Sequence, residues 1–108
     1  MKENNINNYT RGWIVGSFAP SLCKTDTHEL GIKYYKLGDK EAAHKHNLSD
    51  EITIIAYGVV KINGKEYKEG DIIVQEKGDF ADFEVLSEKA ITVVYRPDGS
   101  FPNDKIFV

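Results

Sequence analysis

The sequence predicts an all-β sandwich or barrel, and three observations carry that prediction. Runs of about four to eight residues rich in Val, Ile, Tyr and Phe recur along the chain in the manner of short strands. Turn-forming pairs punctuate them, namely Gly38-Asp39, Asn63-Gly64, Gly70-Asp71, Gly78-Asp79 and Asp98-Gly99. No apolar repeat with a helical period of about 3.6 is sustained, so no helix is expected beyond a single turn near the C-terminus.

Residues 1–10 are Asn-rich and aperiodic and read as a flexible N-terminal arm, leaving residues 11–108 as a single domain. Gly12 to Phe18 alternates aromatic and aliphatic residues, a first strand that Pro20 ends. Ser21 to Thr27 is a polar connection. His28 to Leu37 has the aromatic content of a strand and lacks helix caps. The next strand carries His44 and His46. Asn47, Ser49 and Asp50 then reverse the chain, and the β-branched run Ile52-Thr53-Ile54-Ile55 begins another strand. Asn63-Gly64 between two strand-like runs is the pattern of a two-residue type I′ hairpin, in which both central residues need positive φ. Ile72 to Gln75, Ala81 to Leu86 and Ala90 to Tyr95 supply further strands. Phe101 to Phe107 is too apolar for a free tail and is expected to pack on the barrel or on a partner subunit.

At 108 residues the chain is long enough for one core and too short for two. Its net charge of -3, with no extended Lys/Arg cluster, argues against a nucleic-acid partner. The N-terminus lacks the apolar core of a secretory signal, and no apolar run approaches the ~20 residues of a membrane span. A single cysteine, Cys23, can form no internal disulfide, which agrees with a cytoplasmic location and an inert thiol.

The chemistry concentrates between Gly38 and Gly58. His44 and His46 alternate with Lys45, so in a strand both imidazoles share one face. Glu51 stands at the head of the following strand and brings a carboxylate beside them. Two histidines and one carboxylate with open positions suit a divalent metal: Fe, Mn, Ni, Co or Zn. His28 has no such companions and reads as an exposed or hydrogen-bonded strand histidine rather than a ligand, with a pocket role left open.

Gly38, five residues, His44-Lys45-His46, four residues, Glu51, six residues, Gly58 resembles the first signature of the cupins. The second signature is degenerate: Gly70 and Gly78 stand in register, Glu76 takes the usual proline place, and Ala81 occupies the place of the third histidine. The resemblance implies a double-stranded β-helix of the jelly-roll type, commonly a homodimer. It assigns His44, His46 and Glu51 as metal ligands and leaves the fourth position empty at Ala81. Asp82 is the candidate to fill it, or to act as a general base, because a one-residue slip exchanges the faces of a strand.

Candidate pocket residues flank this group. If Lys33 and Tyr35 face inward, they offer an ammonium and a phenol to an anionic or hydroxylated ligand; if Tyr34 does, it is core. Parity alone does not choose. Thr53 and Tyr57 share parity with Glu51 and are expected to line the pocket. The leading functional expectation is a metal-binding small cupin acting on a small polar metabolite such as a sugar or sugar derivative, in the manner of an isomerase, epimerase or dioxygenase. The competing expectation is a non-catalytic ligand-binding or sensing cupin.

Overall fold

The computed structural model describes residues 1–107; Val108, the last residue of the expected domain, lies outside the described residues. Eleven strands follow in chain order: β1 Trp13–Gly16, β2 Cys23–Lys24, β3 Glu29–Lys36, β4 Lys40–His46, β5 Glu51–Tyr57, β6 Val59–Ile62, β7 Lys65–Lys68, β8 Ile72–Gln75, β9 Ala81–Val85, β10 Lys89–Arg96 and β11 Lys105–Phe107. They form a six-stranded sheet, β2-β1-β3-β10-β5-β8, facing a five-stranded sheet, β11-β4-β9-β6-β7. This is the double-stranded β-helix expected from the sequence. The Asn63-Gly64 turn has φ of 50° and 80°, the left-handed conformations that a type I′ hairpin requires.

Local readings changed at both ends of the chain. The single helical turn expected near the C-terminus is absent there; among the described residues the helical turns are two 3-10 turns, Ile6–Asn8 and Thr10–Gly12. Asn5 caps the first by accepting a 2.9 Å hydrogen bond from the Asn7 amide. Cys23 and Lys24, within the expected polar connection, pair in parallel with Val15 and Gly16. The apolar C-terminal stretch becomes β11, in register with the histidine strand: Lys105 opposite His46 and Phe107 opposite His44.

The core between the sheets is small. Ile55, Val60, Phe83, Val85 and Ala90 form its buried centre, and Tyr35, Ile62, Tyr67 and Ile73 pack around them. One end of the barrel is closed instead by a buried ionic network. Arg96, 3% exposed, donates to Asp104 Oδ2 at 3.0 Å and lies 3.6 Å from Glu29 Oε2. Ser100 Oγ donates to the other oxygen of Glu29 at 2.9 Å, and Asp104 also accepts from the amides of Asn47 and Leu48. The network ties β3, β10, the β4–β5 turn and the C-terminal segment together.

The outer faces of the two sheets are unlike. On the five-stranded sheet, Glu84 lies 3.7 Å from both Lys40 and Lys61, an ordinary solvated surface. On the six-stranded sheet the outward positions are apolar across four strands: Tyr34, Ile91 and Tyr57 align, as do Ile32, Val93, Ile54 and Ile72, and Ile52 pairs with Val74. Ile72 and Val74 are 63% and 54% exposed.

Removing one member of the buried network strands the others. Arg96→Ala is expected to cost about 3–5 kcal/mol of stability, because two buried carboxylates lose their cation. Glu84→Ala, which breaks only surface pairs, is expected to cost less than about 1 kcal/mol. Urea unfolding of both variants measures the contrast.

Candidate metal centre

A bulge builds the site. Between β4 and β9, Glu41 stands opposite Phe83 while His44 stands opposite Ala81, so β4 carries one extra residue in that interval. Cross-strand partners share a face. Phe83 is in the core, so Glu41, which strict alternation would send to the other face from His44, turns inward with it. His44 and His46 are 5% and 6% exposed, with ring centroids 5.3 Å apart and planes at 87°.

Each imidazole is held from behind. His44 Nδ1 lies 2.9 Å from the Ala42 carbonyl, which can only accept, so that nitrogen carries the proton and Nε2 keeps its lone pair. His46 Nε2 meets Glu51 Oε2 at 3.1 Å. Its Nδ1 is buried with no hydrogen-bond partner, and Asp104 Oδ2 lies 4.0 Å from it. With the proton on Nε2, Nδ1 and the Asp104 carboxylate are both acceptors and make no bond. Burial raises the Glu51 carboxyl pKa, but the hydrogen bond from His46, with the positive field of Arg96 beside it, prevails and holds it below its ordinary value.

The inward parity of β3 is now decided. Lys33 pairs with buried Thr92, and Tyr35 packs against Phe83 with ring centroids 4.9 Å apart, while Tyr34 is 64% exposed on the outer face. Burial, reinforced by the charge of Arg11, lowers the Lys33 ammonium pKa to about 8. Burial raises the Tyr35 phenol well above its ordinary range, so it keeps its proton. Two cavities meet at Glu41, His44 and Glu51. One, of about 340 Å³, is lined by Thr53, Ile73 and Phe83 among others. The other, of about 1220 Å³, reaches Lys33, Tyr35 and the 3-10 turns at the N-terminus.

Two expected residues fall elsewhere. Tyr57 is 54% exposed and lines neither cavity, because β5 bulges at Ala56: Ile55 pairs with Thr92, yet Tyr57 pairs with the adjacent Ile91. Asp82 is exposed at the rim, and its carboxylate accepts from the Asn63 amide at 2.7 Å, bracing the hairpin turn. The slip that would have turned Asp82 toward the histidines is on the facing strand, where it delivers Glu41 instead. His28 bonds the Tyr95 hydroxyl at 3.1 Å. Sequence reading missed Glu41, Asp104 and Arg96; the Ala42-Ala43 step carries no bulge signal, and Asp104 is remote in sequence from His46.

Among the described residues, no three His, Cys, Asp or Glu side chains converge into a ready-made cation cage. The donor set nevertheless suits a divalent ion. Two ligands at right angles, each about 2.1 Å from one ion, are about 3.0 Å apart, and His46 Nε2 and Glu51 Oε2 are separated by 3.1 Å. A cation at Nε2 would require the imidazole proton to sit on Nδ1 instead, the side on which the Asp104 carboxylate stands 4.0 Å away. Carboxylates in that position commonly fix a ligating histidine.

Two facing sheets of a double-stranded β-helix, enclosing histidines and a glutamate at one mouth, define the cupin fold. The chain superposes on the DMSP lyase DddQ from Ruegeria pomeroyi with a TM-score of 0.72 at 16% identity, covering 89% of this chain and 49% of that one. A double-stranded β-helix protein from Klebsiella pneumoniae gives 0.68 at 19% identity, covering 96% and 93% of the two chains. Oxalate decarboxylase from Bacillus subtilis gives 0.65 at 22% identity over 77% of this chain and 24% of that one. The chain thus spans about half the length of the DMSP lyases it resembles. No protein-family model and no curated protein matches it.

The depressed Lys33 pKa has a direct consequence for stability. Between about 8 and the ordinary 10.5 the unfolded chain binds more protons than the folded one, so stability rises with pH across that window. Relative to Lys33→Met, the wild type is expected to gain stability between about pH 7 and about pH 10, read from urea unfolding at both.

Proposed function

We propose that this chain is a metal-dependent cupin acting on a small polar metabolite, with a divalent ion held by His44, His46 and Glu51. The observation that carries the reading is the buried, unpartnered Nδ1 of His46 between a carboxylate-bound Nε2 and Asp104. A buried polar atom without a partner is costly, and ligation at Nε2 would turn Nδ1 into a donor facing the Asp104 carboxylate. Among proteins of this fold, the oxalate decarboxylase of Bacillus subtilis has Mn(II) centres, which supports the same class of cofactor here. When bound, such an ion supplies Lewis-acid polarisation of a carbonyl or hydroxyl oxygen.

The chain's own groups then have distinct tasks. Glu51 stays anionic as a ligand. Tyr35, kept protonated by burial, donates a hydrogen bond rather than acting as a base. Glu41, its carboxylate 3.1 Å from Lys105 Nζ, stands where the two cavities meet and can take or return a proton. These groups suit proton-shifting chemistry on a hydroxylated substrate, the isomerase or epimerase class.

We also propose a homodimer through the outer face of the six-stranded sheet, on the support of its continuous apolar rows. A cytoplasmic location is supported by the exposed free thiol of Cys23.

Calorimetric titration with Mn(II), Ni(II) and Zn(II) tests the centre. The wild type is expected to bind one ion per chain. Asp104→Asn should weaken binding by about 10–100-fold, His46→Ala by more, and Asp82→Ala not at all. Absence of binding by the wild type would favour a non-catalytic ligand-binding module, consistent with Ala81 opposite His44. Sedimentation velocity tests the dimer: Val93→Lys at the middle of the apolar face is expected to shift the protein to monomer while leaving metal affinity unchanged.

A further inference from the structure

Five cations line the larger cavity, and three are spoken for. Lys40 faces Glu84, Lys105 faces Glu41, and Arg96 is enclosed by Glu29 and Asp104. Lys33 and Arg11 have no carboxylate partner among the described residues. Lys33 reaches inward from β3, its Nζ donating to the Arg11 carbonyl at 2.6 Å and standing 4.1 Å from the centroid of the Trp13 ring. An ammonium so placed retains donors for a further acceptor.

The surroundings hold this arrangement in place. A Cβ at Gly31 would come within 2.8 Å of the Trp13 ring, so glycine there lets the indole lie flat on β3 beneath the ammonium. Arg11 is held at φ 50°, a left-handed conformation unusual for a residue with a side chain. That conformation directs its carbonyl at Lys33, and Arg11 is among the residues that line the same cavity. The charged groups around Lys33 are Arg11, Lys105, Glu41 and Glu51, and both carboxylates lie on the metal-ligand side of the cavity.

We propose that the larger cavity binds a small carboxylate, its anionic end held by Lys33 and Arg11 above Trp13 and its hydroxylated end directed to His44, His46 and Glu51. An anion between two unpaired cations, one of them partly desolvated, gains charge-assisted hydrogen bonds that water supplies less well. The two ends of the cavity thereby divide the work: carboxylate recognition at the N-terminal turns, chemistry at the histidines. The proposal deepens the metal-centre reading and rests on it only for the role of the second end; carboxylate binding itself needs no metal.

Trp13 is the single tryptophan of the chain and reports directly on its neighbour Lys33. Titration of the full chain with glucuronate and with glucose, which differ by the carboxylate, is followed by Trp13 emission and by calorimetry. Glucuronate is expected to bind saturably, and glucose to bind at least about tenfold more weakly. Lys33→Met should weaken glucuronate by at least about tenfold, with Lys33→Arg recovering most of the loss. Arg11→Gln, at an exposed site that does not endanger folding, should weaken it by a smaller factor. Equal affinity for the two sugars, no saturable binding of glucuronate, or Lys33→Met and Arg11→Gln both binding as wild type overturns the proposal, and Lys33 is then a clamp on the N-terminal turn only. Parallel Mn(II) titrations separate the two readings: glucuronate binding that depends on Lys33 without Mn(II) binding retains this proposal and removes the metal centre.

Discussion

Arg96 lies almost wholly out of water between Glu29 and Asp104, and the geometry of the site depends on that enclosure. A buried guanidinium is tolerable only with carboxylates to match its charge, and Nη1 and Nη2 face them here while Nε stays without a partner. Meeting that demand brings three distant parts of the chain together: the start of β3, the end of β10 and the segment leading into β11. The Asp104 oxygen that accepts from Arg96 also lies 4.0 Å from His46 Nδ1. The ionic network is therefore both a closure of the barrel and the back wall of the histidine pair. Its members are interdependent: a well-packed apolar replacement of all of them would cost little, whereas the loss of one leaves the rest stranded.

Single-residue insertions in β4 and β5 set which faces two of the site's neighbours present. The bulge in β4 turns Glu41 inward, and the bulge in β5 turns Tyr57 outward. Because side chains alternate along a strand, one extra residue reverses everything beyond it. The result is a mouth richer in carboxylate than strict alternation allows and an outer face richer in apolar surface. Those two changes have opposite destinations, one in the cavity beside the histidines and the other on the sheet proposed to meet a second copy.

Polarity is graded along the cavities. Near Phe83 and Ile73 the wall is apolar, at His44 and Glu51 it carries an imidazole and a carboxylate, and toward Lys33 and Arg11 it becomes cationic. A ligand of mixed character, anionic at one end and hydroxylated at the other, matches that gradient better than a uniformly neutral one. The N-terminal turns contribute to this end of the cavity, so the segment that the sequence offers as a loose arm takes part in the site.

The sequence by itself determined the strand-rich fold, the turn positions, and the identity of the paired histidines and Glu51 as a candidate donor set. These are local: alternation, Asn-Gly chemistry and a fixed spacing of donors are written in contiguous residues. It also left the orientation of Lys33 and Tyr35 open, since parity names two faces without saying which is inside. Only the tertiary structure decided that question, through the pairing of β3 with β10, and only it exposed Tyr57, tied Asp82 to the Asn63 turn and set Asp104 behind His46. Bulges and long-range ion pairs depend on which strands meet and on where burial forbids an unpaired charge, and neither is encoded in the spacing of neighbouring residues.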